Sequence, residues 1–268
     1  IDRENCVHFR NGACGTCAEV CPPKAIDYEQ QDEVVRVETG AVILAPGFCL
    51  YDPVEKPEYS YGLAPNVLSS LQFERLLSAS GPCMGNVVRP SDGKVPKRIA
   101  FVQCVGSRDE ANPWCSSVCC MYSLKEAIIA KEHEHEVECT LFYMDIRAHG
   151  KGFDAYYERA KDLGIRFVRC RPSRIDELPT KNLRVGFVPE DGDGAVPGGA
   201  SGAYRSEDFD LVVLASGLQP PAEARELAAK FGIALDANRF GASPAFNPVA
   251  SSRPGVYLAG PFSEPKDI

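Results

Sequence analysis

The sequence predicts an α/β fold built on a parallel sheet, preceded by a small cysteine-rich module. Three observations carry this. Short apolar runs alternate with helix-like stretches between residues 98 and 215. Cysteines crowd residues 6–21 and again 104–120. The 268 residues suffice for one large or two ordinary domains with real cores.

Residues 1–30 read as the cysteine module. Residues 34–48, VVRVETGAVILAPGF, read as a hairpin or two strands followed by a tight turn, with Ala41-Val42-Ile43-Leu44 a fully buried strand. Residues 49–96 are rich in Pro, Gly and Ser; one helix is expected near 68–79 and a linker at Arg89 to Pro96. Strand 98–104 then leads to helix 116–132, strand 136–144 to helix 152–163, and strand 165–170 follows. Residues 183–188 and 203–207 read as a hairpin around a Gly-rich loop, and strand 210–215 closes the unit. Strands alternating with helices imply parallel pairing through right-handed crossovers. A polar linker, a helix near 221–231 and a last buried strand, Gly255 to Gly260, complete the chain. No repeat of fixed period is evident. The Gly-rich stretch 192–202 precedes no helix, so it cannot aim a helix N-terminus at phosphate and reads as a surface loop.

Composition excludes several classes. A charged fraction of 25% and an apolar fraction of 44% are those of a globular protein. A formal net charge of −8, with no basic stripe, argues against nucleic acid as a partner. No apolar run approaches the ~18 residues of a membrane span. No signal peptide is visible. The 12 cysteines cluster at metal-ligand spacings rather than spreading as staples, which favours metal ligation in a reducing cytoplasm over disulfides. The chain opens without Met and stops at Lys266-Asp267-Ile268, where a helix should begin, so a fragment of a longer polypeptide is expected.

The first constellation is Cys6-x7-Cys14-x2-Cys17-x3-Cys21-Pro22. Its last three cysteines and the proline match the second part of a bacterial ferredoxin run. Cys-x-x-Cys in a turn points two thiolates at one iron–sulfur cube, leaving backbone N–H groups for its sulfides. The seven-residue gap departs from the usual two. In two-cluster ferredoxins the cysteine before the proline ligates the other cluster, so Cys21 is a candidate for a cluster whose remaining ligands lie elsewhere. A zinc knuckle is the rival; zinc usually takes two separated cysteine pairs.

The second constellation is Cys104, Cys115, Cys119 and Cys120. The run Arg98 to Cys104 enters a turn, Val105-Gly106-Ser107-Arg108, where a dinucleotide fold keeps its phosphate loop. Thiols stand there instead of glycines. Cys115 and Cys119 are expected at i and i+4 on one helical face, with Cys104 at the end of the preceding strand. An all-thiolate cluster is anionic, and a helix N-terminus stabilises an anion. Adjacent cysteines crowd a single zinc but suit a larger cube. The alternative is a set of core cysteines acting as small hydrophobes.

Cys139 and Cys170 fall in expected strands and read as core; Cys49 and Cys83 lie in loops as ligands or free thiols. His133 and His135, at i and i+2, face different sides of a helix end and share no metal. Arg108 either hydrogen-bonds a cluster sulfide or pairs with Asp109 or Glu110. No arrangement supports hydrolysis, and no residue is expected to act as a catalytic acid or base.

These residues resemble the family of the large iron–sulfur flavoprotein component of heterodisulfide reductase. The matching stretches are Ala41 to Phe48, Arg89-Pro90-Ser91-Asp92-Gly93-Lys94, Cys104-Val105-Gly106-Ser107-Arg108-Asp109, Cys115-Ser116-Ser117-Val118-Cys119-Cys120-Met121-Tyr122, and Pro265 to Ile268. The resemblance implies a thioredoxin-reductase-like, two-dinucleotide-binding-domain (Rossmann-like) fold with part of a ferredoxin-like module at its N-terminus. It implies three parts: half of a [4Fe-4S] module over 1–33, a partial FAD-binding domain over 34–96 and 216–268, and a Rossmann-like domain over 97–215. In that last domain Cys104, Cys115, Cys119 and Cys120 would ligate a [4Fe-4S] cluster in place of NAD(P). At least one further cluster would sit at Cys6, Cys14, Cys17 and Cys21.

Two segments resemble those that bracket a flavin. One contains Ala45, Pro46, Gly47 and Phe48; the other contains Ser216 and Gly217. The tail, with Gly260, Pro261, Lys266 and Asp267, resembles the strand end that meets the ribityl chain and pyrophosphate. Glycines there permit close backbone approach. Gly260-Pro261-Phe262-Ser263-Glu264 departs from the usual Gly-Cys/Ala-x-x-Gly, and Lys266 and Asp267 read equally as a solvated turn. The Gly-rich pyrophosphate fingerprint is absent from these residues, so FAD is expected in the full-length protein and weakly or not at all in this piece alone.

The expected function is electron transfer by an iron–sulfur flavoprotein within a cytoplasmic heterodisulfide-reductase-like or hydrogenase/dehydrogenase complex, with ferredoxin a candidate partner. Flavin-based electron bifurcation is the finer version of that expectation. Two alternatives stand: an NAD(P)H-dependent flavin disulfide reductase, which needs Gly-x-Gly-x-x-Gly after strand 98–104, and a zinc-stabilised non-catalytic scaffold.

Overall fold

The computed structural model describes residues 1–190 and 202–267. The Gly-rich loop expected at 192–202 therefore falls almost entirely outside the described residues. The chain divides into two compact units, Ile1–Gly40 and Ala41–Ile268. Among the described residues, no helix is long and apolar enough to cross a membrane.

The first unit holds two short helices, α1 (Val7–Asn11) and α2 (Thr16–Glu19). Helix α1 ends on Gly12 at φ 70°, a left-handed stop that suits glycine. Aromatic contacts replace a conventional core, since neither helix buries a residue. His8 stacks on Tyr28 with ring centroids 3.6 Å apart, and His8 Nδ1 lies 2.7 Å from the Cys14 carbonyl. The hairpin expected over 34–48 does not form: Val34, Val35 and Val37 lie exposed, with no strand beside them among the described residues.

The second unit begins with β1 (Val42–Leu44) and β2 (Cys49–Leu50), followed by β3 (Val67–Ser69) and α3 (Ser70–Leu77). Strand β1 is not fully buried as expected, because Leu44 and, in part, Val42 face a core while Ile43 points outward. Next come β4 (Arg98–Val105), α4 (Cys119–His133), β5 (Glu138–Tyr143), α5 (Phe153–Asp162) and β6 (Arg166–Arg169). Three antiparallel strands follow, β7 (Arg174–Glu177), β8 (Leu183–Phe187) and β9 (Arg205–Phe209). The chain then runs through β10 (Leu211–Ser216), β11 (Leu218–Gln219), α6 (Ala224–Phe231) and β12 (Val256–Leu258).

The central sheet is parallel throughout, in the order β3-β10-β4-β5-β6. This is a Rossmann-like arrangement, as the sequence predicts, and it reaches beyond residues 97–215. Strand β3 and helix α3, assigned by sequence to the flavin side, add an edge strand and a covering helix to it. Ser69 starts α3 with a reciprocal capping box to Gln72. One sheet face packs on α3, α4 and α5 through Phe73, Phe101, Leu124, Ile128 and Leu141. The other packs on the β7–β9 layer through Val102, Phe142, Val185, Phe187 and Phe209. A smaller core joins the parallel pair β1–β12 to α6 through Leu44, Ala228, Leu258 and Phe262.

The linker 89–96 is anchored rather than loose. Arg89, 7% exposed, donates to Asn182 Oδ1 at 2.9 Å and pairs with Asp210 at 3.3 Å. It thus ties the approach to β4 onto the start of β10.

The packing of α3 on the sheet is testable. Phe73 is fully buried and meets Phe101 edge to face at 5.6 Å. Phe73→Ala is expected to cost about 3–5 kcal/mol in denaturant unfolding, while Leu71→Ala, at an exposed neighbour on the same helix, changes stability by less than about 0.5 kcal/mol.

Candidate functional site

The strand order reverses between β4 and β10. Strands β5 and β6 extend the sheet on one side of that line, and β3 extends it on the other. In an open α/β sheet the crevice beyond the carboxyl ends of such strands is where a ligand binds. Here the carboxyl ends are Val105 and Ser216, and the cysteines gather beside them.

A bulge shapes the end of β4. Leu214 pairs with Val102, but Ser216 pairs with Val105, so β4 carries one extra residue at Gln103–Cys104. Cys104 takes φ 60°, unusual for a residue with a Cβ, and Gly106 follows at φ 70°. A Cβ on Gly106 would stand 2.0 Å from Tyr51 Cγ, so only glycine fits. A Cβ on Gly217 would lie 2.9 Å from the Gly106 carbonyl and from Ser116 Oγ. Gly217 thus lets β10 leave the sheet tightly against the cysteine loop. Arg171 donates to the carbonyls of Cys104 at 3.1 Å and Ser107 at 2.9 Å, which pins the turn from the far layer.

The helix expected at 116 begins at Cys119. Cys115 therefore sits in the preceding loop, and the i, i+4 placement of Cys115 and Cys119 on one helical face is not what forms. The cause is local. Ser116 Oγ accepts from Leu218 N at 2.8 Å and Ser117 stands at φ 63°, so the backbone turns before it coils. Cys119 and Cys120 occupy the first turn of α4. That turn has no side-chain cap and no acidic residue. Its N–H groups and positive dipole end are left for an anion.

The four thiols feel one another. Cys104, Cys119 and Cys120 are buried and Cys115 is partly so. Burial pushes the Cys104 thiol up, and Cys115 adds to this, while Arg108 and Arg171 oppose it. Burial raises Cys119 strongly, and Cys104, Cys120 and Cys115 raise it further. Cys120 is pushed up to about 11, first by burial and then by Cys104 and Cys115. Arg108 pairs with Asp145 at 2.6 Å, so of the two readings the sequence allowed, pairing with Asp109 or Glu110 does not form. Arg147 meets the same carboxylate at 3.2 Å. Burial pushes Asp145 up, but the two arginines outweigh it and hold the group below its ordinary value.

The donor set suits a large anionic group. Four soft sulfurs close enough to affect one another's ionisation lie between the end of β4 and the uncapped start of α4, and the Ser107 hydroxyl beside them is buried without a partner. Among the described residues, no group of three or more His, Cys, Asp or Glu side chains converges on a single-ion centre. A four-iron cube takes its thiolates at separate corners, so it does not require that convergence.

In the first unit, Cys6 caps α1, Cys17 lies in α2, and Cys14 lies between them. The Tyr28 hydroxyl is raised first by desolvation and then by the charge of Cys17, with Cys14 and Cys6 adding to it. Cys21 Sγ instead accepts from Ala25 N at 3.4 Å.

The flavin candidates divide. Phe48, Pro261, Lys266 and Asp267 line one cavity of about 750 Å³, together with Ser117, Val118, Met121 and Tyr122 from the loop and start of α4. That cavity therefore adjoins the residues flanking Cys119 and Cys120. Ser216 lines a second cavity of about 410 Å³, which Phe48 also borders. Gly217 serves packing. Ala45 and Pro46 are exposed, Gly47 turns the loop at φ 80°, and Gly260 opens a short turn at φ 64°. Cys139 and Cys170 are core residues, as expected. Sequence reading missed Arg171 and Asp145, which join the site across 67 and 25 residues. No local pattern marks them.

No family model matches the chain. Curated relatives do. The chain is 44% identical over 273 residues to the A component of the H2:CoB-CoM heterodisulfide, ferredoxin reductase of Methanothermobacter marburgensis. All of this chain aligns there, over 39% of the relative. It is 47% identical over 250 residues to an iron–sulfur A component of the CoB–CoM heterodisulfide reductase of Methanopyrus kandleri, covering 91% of the chain and 37% of that protein. The chain thus spans about 40% of the curated relatives it matches. Among solved structures, an FAD-bound cadaverine monooxygenase from Erwinia amylovora is similar at a TM-score of 0.46 and 9% identity, over 81% of this chain and 53% of that one. That likeness is too distant to bear on chemistry.

The loop geometry has a direct test. Gly106→Ala combines a clash with Tyr51 and a left-handed backbone, and is expected to cost about 2–4 kcal/mol in stability. Gly93→Ala, also at φ 70° but with open space around it, is expected to cost about 1 kcal/mol. Equal losses in chemical denaturation would show that Tyr51 does not enforce the glycine.

Proposed function

We propose that this chain, which belongs to the family of the iron–sulfur A component of heterodisulfide reductase, is the cluster-bearing and flavin-facing part of an electron-transferring oxidoreductase. One observation carries the reading. Four cysteines replace a phosphate loop at the β4–β10 switch point, and a large cavity opens beside the helix start that two of them occupy.

Cys104, Cys115, Cys119 and Cys120 would hold a [4Fe-4S] cluster there, and Cys6, Cys14, Cys17 and Cys21 would serve clusters of a ferredoxin-like module. Phe48, Pro261, Lys266 and Asp267 would face FAD in the full-length protein. When bound, an iron–sulfur cluster exchanges single electrons and a flavin exchanges pairs, the conversion on which flavin-based bifurcation rests.

The chain's own residues set the conditions. The first turn of α4 offers N–H groups to negative charge. Arg171 fixes the Cys104 and Ser107 carbonyls, so the turn does not rearrange as charge changes. Arg108 and Arg147 bring two cations beside the thiols, and Asp145 offsets one of them. Leu218, Met121 and Phe48 keep the neighbouring cavity apolar, which strengthens every nearby charge interaction. No acid or base is required for the electron step.

Ferredoxin appears in the names of relatives from Methanothermobacter and Methanosarcina. Ferredoxin and the other components of a heterodisulfide-reductase-like complex are the proposed partners. The NAD(P)H-reductase alternative lacks its glycine fingerprint. The zinc scaffold would need a single-ion centre.

The test is anaerobic purification of the full-length protein, with iron, acid-labile sulfide and flavin counts and EPR of the reduced sample. Cys119→Ala is expected to remove one cluster signal, with about four iron per chain, and to leave the ferredoxin-type signal. An unchanged spectrum excludes Cys119 as a ligand, and stoichiometric zinc in place of iron supports the scaffold.

A further inference from the structure

Helix α4 carries a buried carboxyl with one oxygen left over. Glu126 is 1% exposed and its Oε2 has no hydrogen-bond partner. It lines the 410 Å³ cavity with Ser70, Glu74, Tyr122 and Ser216. Ser216 Oγ, also buried, lacks a partner as well. This smaller cavity shares Phe48, Val118, Tyr122 and Leu218 with the 750 Å³ cavity, so the two are neighbours bordered by the same residues. Toward solvent stands an ion pair, Lys125 to Glu74 at 2.8 Å, whose side chains are 42% and 47% exposed.

An unpartnered buried carboxyl costs about 1–3 kcal/mol. Ser70 at the start of α3 hydrogen-bonds the carboxyl, which leaves Oε2 as its one unpartnered oxygen. The cavity is mainly apolar, and Glu126, Ser70 and Ser216 are the polar groups in its lining that would hold ordered water.

We infer that Glu126 is the proton-bearing acid of the flavin-facing cavity, passing its proton inward and regaining one from solvent past Glu74. This rests on the reading that the larger cavity holds flavin. Electrons arriving through iron–sulfur clusters bring no protons, so the protons that accompany an electron pair onto a flavin must come from protein or water. Glu126 releases its proton into the cavity, becomes a carboxylate and is reprotonated at the Glu74–Lys125 mouth by a proton from the bulk buffer, which takes up the matching charge. Charge and protons balance at each stage. The groups facing Glu126 fit the role: burial holds its carboxyl well above the ordinary range, Glu74 on α3 adds to this, and Lys125 and Ser70 oppose it.

Two measurements on the full-length protein, wild type and Glu126→Gln, test the relay. Proton uptake during photoreduction, followed with a pH dye, is expected to slow at least about tenfold in the variant, a barrier change of about 1.4 kcal/mol, with flavin and iron content unchanged. Unfolding of the flavin-free proteins against pH reads the second arm. An unfolded Glu126 ionises near pH ~4.3 while the folded one stays neutral. The wild type therefore loses stability as pH rises above that value, by about tenfold in the folding constant per pH unit relative to the variant. Matching slopes in the two proteins would overturn a protonated Glu126, and matching uptake rates in flavin-loaded protein would overturn the relay alone. A full-length protein without flavin would instead remove the reading of the cavity, and the relay with it.

Discussion

Between β4 and β10 the sheet reverses its direction of growth, and the two strand ends have no crossover packed above them. Backbone at that point must be closed by a ligand, by water or by its own loop. This chain closes part of it with the bulge at Gln103–Cys104, the Gly106 turn and the Gly217 exit, all fixed by Arg171 and Tyr51. The rest is faced by thiols. The bulge matters most: it rotates Cys104 out of strand alternation, so a residue that would pack between layers stands at the crevice beside Cys119 and Cys120.

The electrostatics follow from that crowding. Desolvation and the neighbouring thiols make Cys104, Cys119 and Cys120 reluctant to ionise, as the position of Cys120 near 11 illustrates. Metal ligands must be deprotonated, so occupancy by metal releases protons and favours higher pH. An uncapped helix start, Arg108, Arg147 and Arg171 all oppose the repulsion. An apolar pocket of cysteines would need none of these, and a nucleotide site would need glycines where the thiols stand.

Much of this was legible in the sequence, for identifiable reasons. The apolar runs of β4, β5 and β10 are continuous because both sheet faces are covered, and a run of that kind is hard to misread. The cysteine spacing pointed to the carboxyl end of β4, and the structure puts Cys104 there with Cys119 and Cys120 in the first turn of α4. The local geometry was not legible. Cys115 and Cys119 share a helical spacing, yet Ser116 spends its hydroxyl on Leu218, more than a hundred residues away, and delays the helix. Arg108 met Asp145 rather than its neighbours in sequence for the same kind of reason. Val34 to Val37 have strand-like composition, but a strand also needs a partner edge. Glu126 carries no local signal in the sequence; only packing buries it.

Whether sulfur-bound iron occupies the crevice between β4 and α4 decides everything built around it. Anomalous diffraction at the iron edge, on anaerobically grown crystals of the full-length protein, measures this directly. The expected result is a four-iron peak between the end of β4 and the first turn of α4, bonded to Cys104, Cys115, Cys119 and Cys120. A nicotinamide dinucleotide in that crevice, or a single zinc, or four thiols bound to nothing in protein that carries its iron elsewhere, would contradict it.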